Sequence, residues 1–185
     1  MSKKLLIALL SIVLVTSCAV TVAVTYFNCS YYLAKTSLSS YKDAKTVTTS
    51  LSQTCEGVEI NKTVTRYEKN ESGYDVTESN VLLSDDPLSE KFFTVTEQKR
   101  TVAEISPVTF VMRLIYFDNI KNSSDKEGVF SAGVKQKFVK DFGGLSDGAK
   151  NVRIAITYKN ERVTEYVITY DFLGDDFTLG VKFEY

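Results

Sequence analysis

The sequence contains no histidine, and this absence limits the chemistry available to the chain. Without imidazole there can be no Ser-His-Asp or Cys-His nucleophile pair, no zinc site built on histidines and no histidine pH switch. Paired carboxylates remain, but the adjacent pairs Asp85-Asp86 and Asp175-Asp176 stand beside Pro87 and Gly174, which is typical of turns. We therefore expect no enzymatic activity, no metal site and no cofactor.

The chain also lacks an excess of basic charge. It contains 22 Lys and Arg and 23 Asp and Glu, which gives a net charge of −1. We expect no nucleic-acid partner, because no basic patch is visible. Cysteine is scarce, with three residues in the whole chain. Cys29 and Cys55 could pair in an oxidising compartment, and two unpaired thiols is the equally open alternative.

The chain does contain one long uncharged run, residues 5–27, with the sequence LLIALLSIVLVTSCAVTVAVTYF. At about 1.5 Å per residue, a helix of this length crosses a hydrocarbon core about 30 Å thick. Only Lys3 and Lys4 carry charged side chains before it, which predicts that residues 1–4 stay cytoplasmic. We expect a single-pass cell-membrane protein with its C-terminal part outside the cytoplasm.

The same run has two other interpretations, and both also place the rest of the chain outside the cytoplasm. Residues 3–15 also fit the basic and apolar regions of a cleavable signal. Residues 15–18, VTSC, resemble a bacterial lipobox, in which Cys18 would be lipidated. Residues 19–27 stay apolar where lipoproteins usually have a polar tether, and this favours an uncleaved signal anchor over a lipoprotein or simple secretion.

Residues 28–55 are predicted to form a juxtamembrane segment and an amphipathic helix. Apolar side chains recur there every three or four positions between Tyr31 and Leu51. Residues 46–49, TVTT, are poor helix formers, so we expect the end of this helix to be weak.

Residues 56–185 are predicted to form an extracytoplasmic antiparallel β-domain. The apolar period changes to two, and Val, Ile, Thr, Tyr and Phe dominate. The expected strands are 58–68, 73–83, 91–105, 109–118, 129–142, 152–159, 163–172 and 177–185. The fold class is therefore mainly β (α+β), with an N-terminal transmembrane helix, an amphipathic helix and a curved antiparallel meander.

The last three strands predict one apolar face. Their side chains alternate, and the register follows from a three-residue loop at 160–162 and a two-residue loop at Gly174 and Asp175. The expected pairs are Ile154 with Ile168, Ile156 with Tyr166, Tyr166 with Phe183, Ile168 with Val181, Tyr170 with Leu179 and Phe172 with Phe177. On the polar side, Glu165 would then face Glu184, which is mildly unfavourable.

This face needs a cover, which the helix, a second layer of strands or a bound apolar ligand could provide. We treat its eight side chains as candidate ligand contacts: Ile154, Ile156, Tyr166, Ile168, Tyr170, Leu179, Val181 and Phe183.

The stretches VEINKTVTRYE at 58–68, VRIAITYKNERVTEYVITYDF at 152–172 and the terminal FTLGVKFEY carry a resemblance of pattern. Their order is similar to that in bacterial lipoprotein-carrier and mycobacterial glycolipid-binding lipoprotein folds. In those folds a strongly curved antiparallel sheet wraps a helix and leaves an apolar cavity. The resemblance transfers no functional residue, but it implies a membrane-tethered holder of lipid or another apolar molecule.

Our expected function is a membrane-anchored, extracytoplasmic, non-enzymatic binding module for a lipid or other apolar ligand. The alternative is a surface or assembly module that binds a protein partner through a strand edge or an apolar patch, without a small-molecule ligand.

Overall fold

The computed structural model describes residues 13, 15–18, 30–83, 93–121 and 127–185 of the chain. This part is mainly β, with one antiparallel sheet of nine strands and little helix, which confirms the predicted fold class at that level. The predicted anchor, residues 5–27, lies outside the described residues except for 13 and 15–18, which are helical. Among the described residues, no helix has the length and apolar character to span a membrane.

The elements follow one another as a short helix and then nine strands. Helix α1 is Ser30–Ser37 and continues into a 3₁₀ turn, Leu38–Asp43. The strands are β1 (Thr46–Cys55), β2 (Val58–Asn70), β3 (Gly73–Leu83), β4 (Phe93–Val102), β5 (Phe117–Lys121), β6 (Glu127–Val134), β7 (Lys150–Lys159), β8 (Arg162–Phe172) and β9 (Asp175–Glu184). Two further 3₁₀ turns, Leu114–Tyr116 and Gln136–Phe138, flank β5 and β6.

The strand order β4-β3-β2-β1-β9-β8-β7-β6-β5 places β1 inside the sheet, between β2 and β9, and places β4 and β5 at its edges. The connection from β4 to β5 must therefore cross one face of the sheet. We call residues 103–113 of this connection the strap and the face on which it lies the inner face. Helix α1 lies on the same face, against β6, β7 and β8.

The two sides of β1 differ in burial. In the covered half, β5–β9, inner-face side chains pack against α1, the strap and residues 138–149 in one hydrophobic core. Its largest fully buried members include Tyr158, Tyr166, Phe130, Phe142, Ile154, Ile156 and Ile168. In the open half, β2–β4, only Thr65 and Val76 are buried among the side chains that the structure describes. Burial therefore depends on the strap and helix.

The predicted amphipathic helix over 31–51 is wrong in its second half. Helical structure ends at Asp43, and β1 begins at Thr46. The segment TVTT consists of β-branched residues, which lose side-chain freedom in a helix and pack well in a sheet. Because β1 pairs with both β2 and β9, the last ten residues of the predicted juxtamembrane segment and helix, 28–55, form an interior strand of the sheet.

The strand predicted at 109–118 is also wrong for most of its length. The chain there is irregular as far as Arg113, turns once at Leu114–Tyr116 and becomes β5 only at Phe117. The strap buries Phe110 and Met112 and leaves Val111 exposed, so these apolar residues are placed without strand pairing. The predicted strands 91–105 and 129–142 end earlier, at Val102 and Val134.

The predicted pairs between β7 and β8, Ile154 with Ile168 and Ile156 with Tyr166, are confirmed, but the predicted loop length is wrong. The turn has two residues, Asn160 and Glu161, which have φ values of 49° and 62°. A bulge restores the register, because Thr157 pairs with Glu165 and Tyr158 with Val163. Thr164 is the extra residue, and a bulge adds one residue as the longer loop would have done.

Two hydroxyl groups bind the backbone of Val163, which lies beside the bulge. The Val163 N–H donates to Ser40 Oγ at 3.1 Å, and the Tyr185 hydroxyl donates to the Val163 carbonyl at 2.7 Å. The two hydroxyl oxygens lie 2.8 Å apart. This network fastens the 3₁₀ turn after α1 to the covered half of the sheet.

The predicted register between β8 and β9 is wrong by two residues. The turn is Leu173-Gly174, with φ values of 56° and 97° that suit a type I′ turn. The observed pairs are Tyr166 with Val181, Ile168 with Leu179 and Tyr170 with Phe177. A shift of two keeps the same side chains on the inner face. On the outer face Glu165 now meets Lys182, with 3.7 Å between Oε1 and Nζ, and the unfavourable contact with Glu184 is avoided.

Candidate ligand-binding cleft

The eight side chains predicted as ligand contacts do share one face, but most of them are ordinary core. Ile154, Ile156, Tyr166, Ile168, Val181 and Phe183 are buried, and Tyr170 and Leu179 are half-buried against the same core. Three of the eight, Tyr166, Leu179 and Val181, line a cleft on this face. The candidate site is therefore much smaller than the predicted face.

The open space is a cleft of about 420 Å³ between the strap and the inner face, at the boundary between the two halves. Its floor comes from β1, β2, β8 and β9, its roof from strap residues, and one wall from the end of β4. The lining residues are Thr49, Tyr67, Arg100, Val102, Glu104, Ile105, Ser106, Pro107, Thr109, Tyr166, Leu179 and Val181.

Tyr166 of β8 connects the sheet to the strap that lies over it. Its hydroxyl donates a hydrogen bond to the Pro107 carbonyl, and its ring meets Phe110 edge to face with centroids 5.1 Å apart. Phe110 in turn contacts Phe142 with ring centroids 5.1 Å apart. Burial raises the pKa of the Tyr166 hydroxyl, so it remains a protonated donor in the folded protein. One buried residue thus fixes the height of the strap above the sheet.

The lining of the cleft combines polar and aliphatic side chains. Arg100 Nη2 lies 3.6 Å from Glu78 Oε2 across the β3–β4 pair, and Glu104 is exposed at the start of the strap. The aliphatic part comes from Ile105 and Leu179, which are half-buried, and from Val181, which is buried. Such a mixed lining suits an amphipathic molecule.

No group of three or more Cys, Asp or Glu side chains in the described part of the chain could hold a metal ion. The cleft itself is lined by one carboxylate, Glu104, and one cation, Arg100. A pair of carboxylates set for acid and base chemistry is not present among these lining residues.

The cysteine predictions fall partly outside the described residues. Cys18 is exposed and helical, which neither supports nor excludes lipidation. Cys55 is half-buried at the end of β1, whereas Cys29 lies outside the described residues. The Cys29–Cys55 disulfide and the lipidation of Cys18 therefore stay predictions.

The strap and the contributions of Thr49 and Arg100 were not predicted from the sequence. A signal for the strap was available, because Pro107 lacks the N–H that a central strand needs and marks a break between strands. No such signal identified Thr49, since its role depends on β1 being a strand beside β9.

No protein family model matches this chain, and no curated protein matches it either. The resemblance to lipoprotein-carrier and glycolipid-binding folds thus remains a prediction that rests on pattern.

Proposed function

We propose that the protein is a membrane-anchored, extracytoplasmic, non-enzymatic binding module that holds a lipid or other apolar ligand in the cleft beneath the strap. The observation that carries this proposal is the cleft itself, at about 420 Å³. Small-molecule sites generally have volumes of about 300 to 1,000 Å³ and are mostly apolar with a few polar groups. The uncharged run at 5–27 supports the anchoring, because it is long enough to cross a bilayer as a helix.

The position of the cleft supports a ligand that enters from the open half. The floor joins Leu179 and Val181 of the covered half to Thr49 of β1 and Tyr67 of β2. Leu51, two residues farther along β1 on the same face, is 41% exposed. An acyl chain lying over Leu51 and Leu179 would bury this apolar surface, with its polar group near Arg100 and Glu104.

The test compares two tryptophan substitutions at neighbouring positions of β1. Thr49→Trp fills the cleft, whereas Thr48→Trp places the same bulky side chain on the outer face, where Thr48 pairs with Arg66 and Lys182. Both positions are half-buried threonines in one strand. We expect Thr49→Trp to weaken saturable binding of a fluorescent long-chain fatty acid by about tenfold or more, which is about 1.4 kcal/mol.

The full chain in phospholipid nanodiscs is the appropriate material, since background partitioning of the probe into lipid is then the same for both variants. Thr48→Trp should bind like the unmodified protein. Equal binding by Thr49→Trp and the unmodified protein, or the absence of any saturable component, would contradict a ligand site in this cleft.

The edges of the sheet favour a second candidate, a protein-interaction module. β4 is an edge strand of ten residues, and the side chains of Glu97, Gln98, Lys99 and Arg100 are exposed on it. An edge strand can accept an added strand, although charged side chains oppose unselective pairing. A protein partner would favour this candidate if its binding slowed hydrogen exchange of the β4 amides and if Thr49→Trp left its affinity unchanged.

A further inference from the structure

Three large aliphatic side chains lie exposed and close together in sequence at one end of the strap. Val111 is 61% exposed, Leu114 49% and Ile115 61%. Single exposed aliphatic residues are ordinary, but a contiguous apolar patch rimmed by polar residues marks an interaction surface. We call residues 111–115 the tip.

The tip is held firmly by contacts beneath it. Lys135 donates from its backbone N–H to the Tyr116 carbonyl at 2.9 Å and from Nζ to the Ile115 carbonyl at 3.2 Å. The Tyr116 N–H donates to the Arg113 carbonyl at 2.9 Å, and the Tyr116 and Phe138 rings lie 5.0 Å apart. The exposed side chains therefore project from a well-supported turn.

The surroundings of the tip carry more cations than carboxylates. Residues 111–118 and 135–141, which these contacts bring together, contain Arg113, Lys135, Lys137 and Lys140 against Asp118 and Asp141. Lys140 has an ion-pair partner, with Nζ 3.6 Å from Asp147 Oδ2. Aliphatic side chains surrounded by Lys and Arg suit the interface of a membrane that contains anionic lipids, where the apolar groups enter and the cations meet head groups.

The tip also lies near the point where the chain enters the domain. The Tyr31 hydroxyl donates to the carbonyl of Met112, inside the tip, at 3.1 Å. Ser30, the first residue of α1, donates from Oγ to the carbonyl of Lys121 at the end of β5. Only two residues separate Ser30 from the uncharged run that ends at residue 27. A membrane anchor in that run would hold the tip close to the bilayer.

We propose that the tip inserts Val111, Leu114 and Ile115 into the interface of an anionic phospholipid bilayer, beside the anchor. This inference rests on the membrane anchoring in the proposed function, but not on the ligand cleft. The domain would then be oriented by two attachments, its anchor and its tip, which fixes the sheet relative to the membrane.

The absence of tryptophan from the chain allows a direct test. Ile115→Trp gives the full chain a single tryptophan at the tip, and Leu173→Trp gives a matched control in the β8–β9 turn, where Leu173 is 88% exposed. Both variants are reconstituted in vesicles of mixed phosphatidylglycerol and phosphatidylcholine, with and without brominated acyl chains. We expect blue-shifted emission that the brominated lipids quench for Ile115→Trp, and unshifted, unquenched emission for Leu173→Trp.

The outcomes separate this proposal from the anchoring on which it rests. Release of the whole chain from vesicles by alkaline carbonate would contradict the anchor and, with it, this proposal. If the chain stays in the vesicles but the Ile115→Trp emission is not quenched, insertion of the tip is contradicted and the anchor is not. A blue shift without quenching would likewise contradict insertion and would indicate that the tip contacts another protein surface. Val111→Trp provides a second reporter at the same tip and should behave like Ile115→Trp.

Discussion

The covered half and the open half belong to one antiparallel sheet, yet their inner faces differ in chemistry. Inner-face positions of β7 carry Ile154, Ile156 and Tyr158, all buried, whereas those of β3 include Glu78 and Asn80, both half-buried. β1 shows the change within one strand, since Val47 is fully buried and Leu51 is 41% exposed on the same face. The core therefore extends only over the part of the sheet that the strap and α1 cover. The cleft lies at the boundary of that part.

The largest expected effect is the loss of stability when an Asp is placed on the inner face of the covered half, compared with the same change on the exposed part of that face. Ile168→Asp would place an unpaired carboxylate in the core, where Ile168 is 1% exposed, and we expect loss of more than about 4 kcal/mol and failure to fold. Leu51→Asp, on the same face but at the exposed end of β1, should cost less than about 1 kcal/mol. Urea unfolding of the full chain in mild detergent measures both. Similar losses would erase the distinction between the halves.

Loss of the strap's hydrogen bond should have an intermediate effect. Tyr166→Phe keeps the ring contacts with Phe110 but leaves the Pro107 carbonyl without its donor, which should cost about 1 to 3 kcal/mol. Tyr67→Phe, on the half-buried inner face of β2, is the matched control and should change stability by less than about 0.5 kcal/mol. Equal effects of the two substitutions on urea unfolding would mean that the strap is not held by Tyr166.

The same tyrosine should make the folded state sensitive to high pH. Burial raises the pKa of Tyr166 above its usual value near 10, so the folded protein keeps a proton that the unfolded chain releases. Its contribution is complete below about pH 10 and falls as the pH rises, by about 1.4 kcal/mol per pH unit for this group. Tyr166→Phe should therefore lose less stability than the unmodified protein as the pH rises above about 10. Parallel stability curves would contradict this assignment.

The smallest expected effect is a gain of stability from a substitution in the β8–β9 turn. Leu173 has a φ of 56° and is 88% exposed, so a bulky side chain occupies a left-handed position without compensating burial. Leu173→Asn gives the Asn-Gly sequence that type I′ turns prefer and should stabilise the protein by about 0.5 to 1 kcal/mol. Thermal unfolding measures the gain. Destabilisation by this substitution would indicate that Leu173 has a contact that its exposure does not suggest.

Much of the covered half was predictable from the sequence, because its alternation is clear. Ile154, Ile156 and Tyr158 alternate with Arg153 and Thr157, so both the strand and its buried side follow from the pleat. The β8–β9 register was predicted two residues off, yet the inner face was correct because the side-chain period is two. Periodicity therefore identifies faces more reliably than it identifies partners.

The cover of the sheet could not be predicted in the same way. The strap has no period, since it is an irregular segment whose side chains are placed by contacts distant in sequence, such as Tyr166 with Pro107. β1 was taken for part of a helix because its inner-face residues Val47 and Leu51 also have a helical spacing. Only pairing with both β2 and β9 decides between those interpretations, and pairing is a property of the whole fold.

Hydrogen exchange of the full chain in nanodiscs, with and without a long-chain fatty acid, tests the central claim most directly. We expect amides of β7–β9 to exchange at the slowest rates and those of β3 and β4 at least about a hundredfold faster, since local openings of an uncovered sheet require less free energy. Addition of the fatty acid should slow exchange in the strap and in β1 near Thr49. Uniform protection across the nine strands, with no change in the strap on adding the fatty acid, would contradict both the two halves and the cleft between them.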